Sequence, residues 1–84
     1  MPLRFVGIDP QTDLDHCPTV WADEQLGEVV LQGWKASPEL RAACEANTPA
    51  HGSIPDSEDV IRIPARMVPM IREACDAVEG SVVQ

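Results

Sequence analysis

Five side chains in this chain have metal-binding chemistry: His16, Cys17, Cys44, His51 and Cys75. Zinc sites usually draw ligand pairs two to four residues apart. Here only His16 and Cys17 are close, and they are adjacent. Cys44 and Cys75 fall on apolar faces of expected helices, where a free cysteine packs as a small hydrophobe. No metal is expected. Asp13, Asp15 and Glu24 occupy the first, third and twelfth places of a calcium loop, but the sixth place, which needs glycine for its sharp turn, is Pro18. His51, Ser53 and Asp56 supply the residue types of a hydrolase triad. Nothing fixes the base beside a nucleophile, and no glycine-flanked nucleophile elbow is present. The five glycines stand singly, so no phosphate-cradling loop exists. No catalytic residue and no cofactor are expected, and the chain is read as non-enzymatic.

Two constellations survive this sifting. Trp21, Val30 and Trp34 fall on one face of an expected hairpin, and aromatic residues on a sheet face are favoured anchors for protein partners. The alternative is that a helix covers this face and both tryptophans are core. The same face could also serve a second copy in a two-fold dimer. The second constellation is Arg62, Arg66 and Arg72. Together they could receive a phosphate or carboxylate group, or they could pair with Glu58, Glu73 and Asp76 at the surface, which is the commoner use of such charges.

These residues need elements to position them. Arg4–Ile8 is expected as a first, edge strand. The stretch from Asp9 to Pro18, with its prolines and aspartates, reads as a loop. Thr19–Asp23 and Glu28–Lys35 read as a hairpin whose turn, Glu24-Gln25-Leu26-Gly27, closes on a glycine with positive φ. Pairing Asp23 with Glu28 places Val20, Ala22, Val29, Leu31 and Gly33 on one face, the expected core. Thr19, Trp21, Val30, Gln32 and Trp34 then share the other. Ser37-Pro38-Glu39 is a helix start, with a capping serine, a proline at the first helical position and an acid in the first turn. Leu40, Ala43 and Cys44 share a face of that helix, and Asn47-Thr48-Pro49 ends it.

After a turn-rich loop, Asp59–Ile63 reads as the last strand. A helix follows from Pro64 to Val78, with Met67, Ile71, Ala74, Cys75 and Val78 on one stripe. Pro69 is incompatible with a helix interior, so a break near Met67 or a true start around Val68 is expected. Gly80 is expected to stop the helix, and residues 81–84 to fray. The fold class is therefore α+β: one small domain of order β-β-β-α-β-α, with a mainly antiparallel sheet and the C-terminal helix packed on it.

Size and charge limit the function. Eighty-four residues make a small core with little room for a deep pocket. Six basic against fourteen acidic residues give a net charge of −8. Direct nucleic-acid binding and attachment to an anionic membrane surface are disfavoured; the acidity suits a basic protein partner, or serves simply to keep a small domain in solution. The N-terminus lacks the apolar run of a secretory leader, no stretch approaches membrane-span length, and three unpaired-looking cysteines do not form a disulfide framework. The chain is expected to be soluble and cytoplasmic.

The runs Thr19-Val20-Trp21, Val30-Leu31-Gln32-Gly33-Trp34 and Val60-Ile61-Arg62-Ile63-Pro64-Ala65-Arg66-Met67-Val68-Pro69 resemble small uncharacterised actinobacterial proteins encoded beside Xre-type helix-turn-helix regulators. The strand–proline–helix ending is also similar to the small acidic partner proteins of such regulators, although their tryptophan-basic-serine-serine opening is missing here. The resemblance carries no catalytic motif. It implies a regulatory accessory protein whose partner is a helix-turn-helix regulator. The alternative from the residues alone is a small ligand-binding or accessory subunit of an enzyme that uses the arginine cluster.

Overall fold

A computed structural model describes residues 3–11 and 17–82 of the chain. Its order is β1 (Arg4–Ile8), β2 (Thr19–Asp23), β3 (Glu28–Gln32), β4 (Trp34–Lys35), α1 (Pro38–Ala46), β5 (Ile61–Arg62), a 3₁₀ turn at Ala65–Met67, and α2 (Val68–Val82). The class is α+β, as the alternation of strand and helix signals predicts. β1, β2 and β3 form an antiparallel sheet with β2 at its centre. β4 and β5 pair antiparallel in a separate, two-stranded sheet.

The hairpin register is the expected one: Asp23 opposes Glu28, Trp21 opposes Val30 and Val20 opposes Leu31. The turn depends on two residues. Gly27 takes a φ of 71°, open to glycine at little cost. The Asp23 carboxylate accepts from the backbone N–H groups of Gln25 and Leu26 at 3.1 and 3.0 Å, which holds the turn in shape and accounts for the burial of an aspartate.

α2 packs on the Val20 and Ala22 side of the sheet. Val20, Ala22, Met67 and Ala74 are fully buried there, with Val6, Val29, Ile63, Met70, Ile71, Ala77 and Val78 packed around them. The α2 stripe expected from its helical spacing is thus the core-facing one. The helix begins at Val68, after the 3₁₀ turn, so Pro69 lies in its first turn, where the missing N–H has no helical partner to lose.

Three expectations are corrected. The strand predicted over Glu28–Lys35 is split at Gly33. A β-carbon there would lie 2.6 Å from the Arg62 carbonyl oxygen and 2.9 Å from Ile63 Cδ1, so the chain passes this point only because the residue is glycine, and Trp34 leaves the main sheet for β4. The strand predicted over Asp59–Ile63 shortens to Ile61–Arg62 and pairs with β4 rather than with the main sheet. The helix does not stop at Gly80 but runs to Val82. Gly80 is absent from the positive-φ glycines, so it continues the right-handed helix instead of capping it. The helix therefore includes two of the residues expected to fray, Ser81 and Val82.

Candidate functional site

Strand pleating puts every second residue of the main sheet on the side away from α2. Phe5, Trp21 and Val30 stand abreast there, because Phe5 opposes Trp21 and Trp21 opposes Val30. Phe5 is 57% exposed, while Trp21 and Val30 are half-buried. The β1 register slips between Phe5 and Gly7, and the unmatched Val6 turns into the core. That bulge puts two consecutive residues, Val6 and Gly7, on the α2 side, with Gly7 opposite Val20 and close against Met70.

The ends of this face are closed by local hydrogen bonds. At one end Thr19 Oγ1 and Gln32 Nε2 both donate to the Cys17 carbonyl, at 3.0 and 2.9 Å. These bonds tie the incoming loop to the sheet and bury Thr19. At the other end Asp23 is held in its turn. Apolar surface is left between the two ends, on the side opposite the helix.

Of the residues proposed from sequence as a partner surface, Trp21 and Val30 are together. Trp34 is not with them: it pairs with Arg62 across β4 and β5, and the Arg62 guanidinium lies over its ring, 5.5 Å from the centroid. Phe5 takes the place that Trp34 was expected to fill. The sequence signal for it was available, since alternation along Arg4–Ile8 puts Phe5 opposite to its flanking residues, but the bulge and the cross-strand pairing are set by tertiary packing.

The three arginines have separate surroundings. Arg62 is over Trp34. Arg66 forms a bidentate pair with Asp9, Nε to Oδ1 at 2.6 Å and Nη2 to Oδ2 at 2.7 Å. The hydrogen bond to Asp9 holds the Arg66 guanidinium above its ordinary pKa, with a smaller opposing effect of burial. Arg72 lies on α2, exposed. An anion entering this region would have to compete with Asp9 for Arg66. The Asp9 side chain has no exposed surface and also accepts from the Gln11 N–H at 3.1 Å, so it is a built-in occupant of that fork. From sequence alone Asp9 only opens the loop that runs to Pro18. The 57-residue separation of the pair leaves no local signal to find it.

His51 and Ser53 line a shallow cavity of about 260 Å³ with Cys44, Glu45 and Glu58 beside α1. Asp56 is not among its lining residues. The Glu45 carboxylate accepts from the Ile54 N–H at 2.7 Å, which fastens this loop to the helix. Cys17 is buried, and Cys44 and Cys75 are half-buried. His16, Asp13 and Asp15 lie outside the described residues. Among the described residues no three histidine, cysteine or acidic side chains gather as metal ligands would. Glu24, the remaining member of the calcium pattern, pairs with Arg4 at 3.2 Å. Among the described residues no helix is long and apolar enough to cross a membrane.

No protein family, no curated protein and no solved structure matches this chain.

Proposed function

We propose that this protein is a non-enzymatic interaction module of the cytoplasm that binds a more basic protein through the open face of its main sheet. The observation that carries this reading is the row Phe5, Trp21 and Val30, an aromatic-rich strip on the side of the sheet away from α2. Large aromatic side chains on a rigid sheet provide contact area at low entropic cost and are the usual anchors of protein interfaces. The net charge of −8 selects for a basic partner and speeds its encounter. A helix-turn-helix regulator, the partner implied by the resemblance, has that character on its nucleic-acid-binding side. On this reading the protein acts on transcription as an accessory to the regulator and does not touch DNA itself.

The test is a pull-down from native lysate with the wild-type protein and a Phe5→Ser/Trp21→Ser variant whose fold is checked by circular dichroism. The wild type is expected to retain a basic protein that the folded variant loses. The association rate of the recovered pair is expected to fall as salt rises, because steering between separated charges is screened. Equal retention by both proteins would remove the sheet face from the reading, and a salt-independent rate would remove the charge.

A further inference from the structure

We infer that β3 is a self-association edge, pairing antiparallel with β3 of a second copy to build one six-stranded sheet. The main sheet has two outer edges, and they differ. β1 carries a bulge between Phe5 and Gly7 and the charged Arg4, two devices that blunt an edge against further pairing. β3 has neither. Its five residues keep unbroken register with β2 and contain no proline or lysine, and its one charge is Glu28 at the start. Its apolar side chains are also incompletely covered. Leu31 is 39% exposed on the α2 side of the sheet, and Val30 is half-buried on the other. A strand laid beside β3 covers both.

The sequence of the strand fits its own copy. Run antiparallel about Val30, Glu28-Val29-Val30-Leu31-Gln32 sets Val30 against Val30, Val29 against Leu31, and Glu28 against Gln32. Centring on Val29 or Leu31 keeps the faces matched but leaves part of each strand unpaired. The Val30 centre also separates the charges. The two Glu28 residues are then four positions apart along the strands, roughly 13 Å. That exceeds the Debye length of about 8 Å at physiological salt. A chain of net charge −8 can therefore meet itself along this edge with no carboxylate opposite another. The pairing also has a consequence for the open face, because Phe5, Trp21 and Val30 of one copy become continuous with Val30, Trp21 and Phe5 of the second. This makes one strip across six strands with two-fold symmetry.

Sedimentation equilibrium over a concentration series, at low and high salt, tests the inference. The expected result is a monomer–dimer equilibrium with no larger species, since pairing consumes the unguarded edge of both copies, and a dimer that tightens as salt screens the overall repulsion. Gln32→Glu places carboxylates opposite each other and is expected to weaken the dimer several-fold. Adding Glu28→Lys turns the same positions into ion pairs and is expected to restore it. Leu31→Lys should abolish the dimer, and Phe5→Ser should leave it unchanged. Folding of each variant is followed by circular dichroism. If a variant unfolds, amide exchange in the wild type decides: β3 amides should gain protection as concentration rises.

A monomer at all concentrations, failure of the double variant to restore pairing, loss of the dimer in Phe5→Ser but not in Leu31→Lys, or concentration-independent β3 protection would each overturn the inference. Loss of the dimer in Phe5→Ser alone would also make the open face a self-association surface; the other outcomes leave the partner reading, which is read out by Phe5 and Trp21 in the pull-down, untouched.

Discussion

The Asp9 carboxylate has no exposed side-chain surface, whereas Arg66, its partner at 2.6 Å, keeps 36% of its side chain in reach of water. That asymmetry predicts unequal costs for breaking the pair. Arg66→Met takes the bidentate partner from a buried carboxylate, while Asp9→Asn leaves an arginine that can turn to solvent. Arg66→Met is therefore expected to lower the urea midpoint more than Asp9→Asn, with Arg66→Lys between wild type and Arg66→Met because it keeps the charge but loses the two-pronged geometry. The pH dependence has a definite sign. The folded-state pKa of Arg66 is raised, so its share of stability is fully present below the unfolded pKa and is lost only in strong alkali. A loss of that share on titrating toward neutral pH would contradict the assignment.

Trp21 is tested at the same scale. Its side chain is half-buried on the side of the sheet away from α2, so Trp21→Ala is expected to cost about 1–2 kcal/mol, less than the roughly 3–5 kcal/mol of a tryptophan enclosed in a core. The variant should remain folded in water, by circular dichroism and a urea melt. An unfolded Trp21→Ala would identify Trp21 as core and remove the motive for the partner surface.

At the scale of elements, α1 and the β4–β5 ribbon differ from the main sheet in how they are held. α1 has no buried residue. It is fixed by its ends and by polar links: the Ser37 side chain accepts from the Leu40 N–H at 3.1 Å, Arg41 pairs with Asp59 at 2.9 Å, and Glu45 holds the Ile54 N–H. Ser37→Ala removes the cap and is expected to cost about 1 kcal/mol. With so little apolar anchorage, that loss should appear as faster amide exchange confined to α1, while the main sheet keeps its protection. Gly33→Ala is expected to act more widely. The added carbon meets a backbone oxygen at 2.6 Å, which cannot rotate away, so the β3–β4 passage or β5 must shift, at a cost on the order of 1–3 kcal/mol by urea denaturation.

At this scale the local signals were the legible ones. The serine-proline-acid start of α1, the Asp23–Glu28 register, the glycine-closed turn and the delayed start of α2 all rest on residues close together in sequence. Each has one favourable backbone solution. The split at Gly33 was not legible, because it depends on the approach of β5 from about thirty residues away and not on any property of Gln32-Gly33-Trp34.

For the molecule as a whole, the fully buried core among the described residues is small: Val20, Ala22, Met67 and Ala74 at the junction of β2 and α2. Met67 is the largest of these side chains and is completely enclosed. Met67→Ala is expected to cost about 2–5 kcal/mol. In a domain of this size that is a large part of the total, and thermal melting should show a sharply lowered or lost transition. The sequence by itself determined the fold class, the hairpin register and the helical stripe that faces the sheet. Hydrophobic periodicity and turn chemistry act over a few residues and so can be read along the chain. Only the tertiary structure decided that Phe5 rather than Trp34 joins Trp21, that Arg66 is held by Asp9, and that the short last strand pairs with β4. Those outcomes depend on which distant segments meet, which follows from packing of the whole core and leaves no periodic trace in the residues concerned.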